Sequence, residues 1–205
     1  MIYSGLKLKT APSVEPVTLA QVRAQLRLED DETDMDTSIT LGIQSAREAI
    51  EKYLSRALIT QTWEVTFTDF RDVMELPWGS LQSVTSIKYY DSDNVQQTLA
   101  TSVYQVDTYS TIGNVTLKYG QVWPEVYPDT KNCVIIEYVA GYGDATTNVP
   151  ATIRQAIVSY CVDYYEHPEG MIEVEFFENK DRARALSLYR LIEAHNAGDP
   201  NNAIG

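Results

Sequence analysis

The stretch Arg56-Ala-Leu-Ile-Thr-Gln-Thr-Trp63 decides the fold, because the sequence changes its period there. Upstream, apolar residues recur every three or four positions, as on one face of a helix. Downstream, Trp63, Val65 and Phe67 alternate with Thr62, Glu64, Thr66 and Thr68, the period of two of a half-buried strand. The opposite change occurs at Val139-Ala-Gly-Tyr-Gly-Asp144, followed by Val149-Pro-Ala-Thr-Ile-Arg-Gln-Ala-Ile157, where a strand gives way to a helix. A β-rich block is thus inserted between two helical pieces. The predicted fold class is α+β: a small helical bundle, built from N-terminal and C-terminal helices, interrupted by an antiparallel β-rich insertion.

Working outward, Thr18 with Gln21 three residues on has the spacing of a capping box, predicting a helix over about 19–28. The run Glu29-Asp-Asp-Glu-Thr-Asp-Met-Asp36 reads as a turn and the acidic start of a second helix, where carboxylates face the positive end of the dipole. That helix is predicted over about 34–56. Its apolar face holds Ile39, Ile43, Ala46, Ile50 and Tyr53 or Leu54, with Arg47, Glu48, Glu51 and Lys52 off that face. Strands are predicted near 73–76, 84–90, 95–99, 104–107, 114–119 and 133–139, with turns at Asp91-Ser-Asp-Asn94 and Ile112-Gly-Asn114. Pro150 suits the first turn of a third helix with apolar stripe Ile153, Ala156, Ile157, Tyr160, Cys161 and Tyr164, ending near Glu166-His-Pro168. Residues 169–178 read as a strand or an apolar arm, and a last helix is predicted over about 179–195. The expected domains are 14–59 with 149–195 as a discontinuous helical domain, 60–148 as the β-rich insertion, and 196–205 as a polar tail.

Composition narrows the function classes. Of the 205 residues, 44% are hydrophobic, enough for a sizeable core. No apolar run approaches the roughly 18–20 residues that span a bilayer, and Met1 to Thr10 lacks the apolar core of a signal peptide, so neither membrane insertion nor secretion is expected. With 29 acidic against 16 basic side chains the net charge is -13, which works against gripping phosphates. Residues 60–149 carry eleven acidic and four basic groups, the largest share of that excess. Cys133 and Cys161 lack metal-ligand spacing and are expected to be reduced, buried thiols.

The sequence offers no constellation of residues that carries chemistry. His167 and His195 have no nucleophile or metal partner in sequence spacing. Asp34-Met-Asp36 and Asp91-Ser-Asp93-Asn94 resemble the start of a calcium loop, but the glycine at its sixth position and the glutamate at its twelfth are missing. Gly141-Tyr-Gly143 lacks the rest of a dinucleotide fingerprint and reads as a turn. Asn114-Val-Thr116 fits a glycosylation sequon but falls in a predicted strand. No catalytic residue, cofactor or metal is expected. Among the 14 tyrosines, Tyr104 and Tyr119 suit strand packing, whereas Tyr109 and Tyr127 sit in predicted loops and are candidates for contacts between subunits.

The order of these features resembles one family closely. Pro16-Val-Thr-Leu-Ala20, the acidic turn, the long helix, the Arg56–Trp63 junction, Leu81-Gln-Ser-Val-Thr-Ser-Ile87 and the two later segments together resemble the head-to-tail connector proteins of tailed double-stranded DNA phages, also called adaptor or head-completion proteins. The resemblance runs from about Val14 to Ile192. It implies a non-enzymatic virion protein of the neck, assembled in the bacterial cytoplasm. Such a protein forms a homo-oligomeric ring of about twelve subunits between the portal protein and a stopper or tail-terminator protein, and DNA passes through its channel without specific binding. It also implies a portal contact through the C-terminal segment, for which Met171, Ile172, Val174, Phe176, Phe177 and Tyr189 are the candidates. Part of the acidic excess in residues 60–149 would then face the channel and repel passing phosphates. The alternative is a β-rich tail or baseplate module that recognises a host glycan or protein with loop tyrosines and Trp78 or Trp123.

Overall fold

In the computed structural model, residues 3–128 and 131–166 are described. The chain divides into two units: Met1–Ser13 with Ser55–Tyr142, and Val14–Leu54 with Gly143–Gly205. The predicted strand or arm at 169–178, the last helix, the polar tail, both histidines and the portal-contact candidates fall outside the described residues.

The first unit is built of antiparallel strands. Its larger sheet holds β1 (Gly5–Thr10), β2 (Gln61–Phe67), β4 (Leu81–Tyr90), β5 (Gln96–Thr98) and β8 (Val134–Ala140), in the order β1-β2-β8-β4-β5. A smaller sheet has the order β3-β7-β6, from β3 (Val73–Glu75), β7 (Asn114–Leu117) and β6 (Tyr104–Asp107). The alternation of β2 is realised: Trp63, Val65 and Phe67 are buried and the residues between them are half-buried. β8 repeats the pattern with Val134, Ile136, Tyr138 and Ala140 inward. Both sheets feed one core, in which Met74, Tyr104 and Val115 from the smaller sheet join Val65, Ile87 and Ile136 from the larger.

Among the described residues no buried side-chain nitrogen or oxygen lacks a partner, as burial requires. The Trp63 indole Nε1 donates to Gln61 Oε1 at 3.2 Å. The Tyr138 hydroxyl donates to the Pro77 carbonyl at 2.7 Å, and burial pushes its pKa well above the usual phenol range. On the outer face, Glu64 and Glu137 stand directly opposite each other in register, and Lys9 answers both, at 3.6 and 2.5 Å. The strand β1 was not anticipated from sequence, although Leu6-Lys-Leu-Lys9 alternates with the period of two of a strand; those four residues were its whole signal.

The second unit is helical in its described part. In α1 (Leu19–Leu26) the capping box forms as predicted: Gln21 N donates to Thr18 Oγ1 at 3.2 Å, and Thr18 N donates to Gln21 Oε1 at 2.9 Å. Arg27, in the left-handed region at φ 59°, ends the helix, and Arg23 orders the acidic turn by bonding the carbonyls of Glu29 and Glu32 and the carboxylate of Asp36. In α2 (Asp36–Leu54), Ile39, Ile43, Ala46, Ile50 and Leu54 are buried; of the two residues left open at the helix end, Leu54 turns inward and Tyr53 outward. In α3 (Ala151–Glu166) the buried stripe runs from Ile153 to Val162. Tyr164, expected on that stripe, remains 37% exposed at the helix end, although its ring lies beside Gly42 of α2.

Ile50, fully buried, should cost about 2–5 kcal/mol on truncation to alanine, whereas Leu41, 62% exposed on the same helix, should cost less than about 0.5 kcal/mol. Denaturant unfolding of Ile50→Ala and Leu41→Ala checks the difference.

Candidate functional site

The two junctions singled out from sequence meet inside the β unit. Tyr142 N donates to the Leu58 carbonyl at 3.1 Å, Gly141 N donates to the Ser80 carbonyl at 2.9 Å, and Gln82 Nε2 clamps Thr60 Oγ1 and the Gly141 carbonyl at 3.0 and 2.9 Å. Gly141 has φ +134°, and a Cβ there would lie 2.6 Å from the Ile59 carbonyl carbon and oxygen. Only glycine fits both the dihedral and the approach. The turn expected at Gly141-Tyr-Gly143 is therefore a structural splice, not a ligand loop.

The calcium-loop resemblances resolve in the same way. Asp91 Oδ1 accepts from the backbone N–H groups of Asp93 and Val95, which closes the β4–β5 hairpin with Asn94 at φ 61°. Asp36 is held by Arg23. Among the described residues no group of three or more His, Cys, Asp or Glu side chains could hold a metal ion. Cys133 and Cys161 are free and buried, and burial, with a contribution from Glu15, pushes the Cys161 thiol up to about 12, so it carries no thiolate at neutral pH.

What the structure presents instead is surface aromatic groups on rigid loops. Tyr109 is fully exposed, yet its loop is fixed: the Asp107 carboxylate accepts from the N–H groups of Tyr109 and Ser110, the Ser110 hydroxyl and the Asn114 amide. Those hydrogen bonds hold the Asp107 carboxyl below the usual range, the one from the Ser110 hydroxyl foremost. Tyr127 is only half-buried, and its N–H donates to the Tyr90 carbonyl at 2.9 Å. Tyr104 is buried as expected, but Tyr119 is not: it lies beyond the end of β7 and is fully exposed beside Gly120 at φ 76°. The glycine turn ends the strand two residues before the aromatic that would have extended it. Trp78 and Trp123 pack against the core, Trp78 stacked on Trp63 with centroids 4.9 Å apart and Trp123 on Phe70 at 4.7 Å.

The helical unit holds a feature that the sequence reading missed. Arg47 and Glu51, expected off the apolar face, are 8% and 4% exposed. Arg47 donates from Nε to Glu15 at 2.9 Å, from Nη1 to Glu51 at 2.9 Å and from Nη2 to Glu48 at 3.3 Å. A guanidinium has donors on three nitrogens in a fixed fork, so one side chain satisfies carboxylates from its own helix and from the segment before α1. Burial works against the charge of Arg47, but Glu51 and Glu15 more than offset it and its pKa rises. At Glu15 burial prevails over the attraction of Arg47, so its pKa also rises. The only sequence signal was the i, i+4 spacing of Arg47 and Glu51, which is equally common on solvated faces.

The comparisons with known proteins agree with one another. A model of the phage gp6-like head-tail connector protein family matches residues 16–117. Among solved structures, a chain from the neck of an empty gene transfer agent (GTA) particle, computed with C6 symmetry, superposes with a TM-score of 0.75 at 23% identity, covering 93% of this chain and 94% of that one. A chain from the virion of a native GTA particle gives 0.73 at 23% identity, covering 92% and 93%. One from the neck of a native GTA particle, computed with C12 symmetry, gives 0.68 at 22%, with the same coverage. No curated protein matches by sequence.

Arg47→Met should destabilise the chain, by up to about 3–5 kcal/mol, because it removes the guanidinium from which the buried Glu51 and the half-buried Glu15 both accept; thermal and denaturant melts measure this. Glu15 contributes a pH signature. Its folded pKa lies above the ordinary 4.5, so the folded chain holds the extra proton, and this group's contribution to stability declines as pH rises from 4.5 through the folded value. The difference in unfolding free energy between Glu15→Gln and wild type, followed across that window, should move in favour of the variant as pH rises.

Proposed function

We propose, from the premise that this chain belongs to the family of phage gp6-like head-tail connector proteins, that it closes into a ring between the portal vertex and the tail. The family match carries this reading, since it spans both N-terminal helices and the strands from β2 to β7. A head-tail connector is a structural part of the virion and not an enzyme. The neck chains of similar fold come from particles treated with C6 and C12 symmetry, which supports a ring of about twelve copies here. Assembly would occur in the host cytoplasm and the ring would reside in the virion neck.

The finer roles follow from this reading. One face of the ring meets the portal, for which Met171, Ile172, Val174, Phe176, Phe177 and Tyr189 remain the candidates, and the other meets a stopper or tail terminator. Ring closure needs a heterologous contact, one side of each subunit fitting the opposite side of the next. Tyr109 suits that contact better than Tyr127: it offers a whole aromatic ring on a loop already ordered by Asp107, so little conformational freedom is lost on binding. The acidic excess in residues 60–149 would keep the channel from holding DNA by its phosphates. For the alternative of a host-binding module Trp78 and Trp123 are less available, since both pack against the core and are half-buried.

Mass measurement of the purified chain with and without portal protein tests the reading: rings or a portal complex are expected, and a strict monomer that ignores the portal overturns it. Tyr109→Ala should weaken ring assembly by about 1–3 kcal/mol per contact while leaving the melting temperature of the free subunit unchanged.

A further inference from the structure

The turn after β7 is fastened at both ends and apolar at its tip. On one side the Lys118 N–H donates to the Val103 carbonyl at 3.0 Å, and Lys118 Nζ donates to the Thr101 carbonyl at 2.8 Å. On the other, Trp123 stacks on Phe70 with centroids 4.7 Å apart, and its indole Nε1 donates to the Arg71 carbonyl at 2.9 Å. Between these anchors Gln121 N donates to the Lys118 carbonyl at 3.1 Å, and Gly120, at φ +76°, takes the left-handed position that such a turn needs. The residues left outside are Tyr119, fully exposed, and Val122, 81% exposed. An exposed aromatic ring on a backbone already ordered loses little freedom when it meets a partner.

The helical unit carries a hollow of matching size. An apolar cleft of about 140 Å³ lies between the start of α2 and the end of α3, its lining including Met35, Ser38, Ile39, Gly42 and Tyr164. A cavity of ~150 Å³ takes up benzene, so this one admits the ring of a tyrosine. A second hollow shares Gly42 and Tyr164 with it and is bordered by Leu41, which is exposed.

We propose that Tyr119 of one copy seats in the cleft of a neighbouring copy, with its hydroxyl toward Ser38 and with Val122 against Leu41. Three observations select a second copy as the occupant. First, tip and cleft both stand open in the single chain, and a projection and a hollow at different places on one molecule join copies head to tail, the heterologous contact from which rings are built. Second, a tyrosine has an apolar body and a polar end, which suits an apolar cleft that offers the Ser38 hydroxyl. Third, charge favours Tyr119 over the equally exposed Tyr109: Lys118 precedes Tyr119, whereas Asp107 closes the Tyr109 loop, and the exposed Asp34 precedes Met35 of the cleft. Glu48, beside the second hollow, is met by Arg47 and does not enter this match. The inference rests on the ring reading and adds to it the pair of surfaces by which neighbours join.

Two experiments on the full chain, with portal protein present, test the seat. Tyr119→Ala, and Ser38→Trp at an exposed position that fills the cleft, should each raise the concentration at which half the chains are in rings by at least roughly tenfold. Combining them should add little, because both remove one contact. Unchanged melting temperatures of the free subunits confirm that the variants fold. In the second experiment Tyr119→Cys with Ser38→Cys, treated with a short bismaleimide, should give a ladder of linked multimers, and a mixture of the two single variants should stop at linked pairs. Cys133 and Cys161 are buried, so the wild type serves as the blank. Rings of Tyr119→Ala at the wild-type concentration, or rings without linked copies, overturn the seat and leave the ring reading standing. Linkage of Tyr119→Cys to the portal in place of a second copy also overturns it. A wild-type chain that forms no ring overturns both.

Discussion

The antiparallel pairing of β2 with β8 is the constraint on which the rest depends. Gln61 lies opposite Ala140 and Phe67 opposite Val134, seven consecutive pairs without a bulge. A strand's side chains alternate with a period of two, so this register places Trp63, Val65 and Phe67 on the same face as Ile136 and Tyr138; a slip of one residue would turn every one of them to solvent. The pairing also brings the first and last residues of the inserted block side by side. The chain can therefore leave the helical unit after Leu54 and return to it at Gly143 without a long connection. Gly141 sits where the two passages touch, and its missing Cβ is what lets them touch.

From that frame follow two kinds of polar order. In the β unit, isolated polar groups are placed where a single partner waits, as with Tyr138 and the Pro77 carbonyl or Trp63 and Gln61. In the helical unit a shared cluster around Arg47 ties the segment before α1 to α2. Such a cluster contributes little net stability over an apolar substitute of the same shape, but it penalises any arrangement that separates its members. A protein that must present defined surfaces to its neighbours has use for specificity of that kind.

The absence of a reactive centre among the described residues is an arrangement in its own right. The carboxylates that resemble the start of a calcium loop are occupied, Asp91 in closing the hairpin and Asp36 by Arg23, and Asp107 in the same way closes the Tyr109 loop. Each fixes the backbone that carries an exposed group. Aromatic side chains exposed on hydrogen-bonded loops are features of an assembly component, and they agree with membership of the head-tail connector family.

Sequence by itself determined the period changes at Arg56–Trp63 and Val139–Ile157, the capping box at Thr18, the buried face of α2, the Asp91–Asn94 turn and the α+β class, because each is set by neighbours within a few residues. The family too was legible, from the order of those local features. Tertiary structure alone decided that Gly5–Thr10 becomes an edge strand of the sheet, that Arg47 and Glu51 are buried while Tyr119 and Tyr164 are exposed, and that Trp78 and Trp123 stack inward. Those outcomes depend on partners distant in the chain: a strand needs another strand to pair with, and a buried guanidinium needs carboxylates to receive it. Periodicity fixes the direction of a side chain about its own helix or strand axis. Whether that direction meets water, a ring or a counter-charge is settled only when the elements pack.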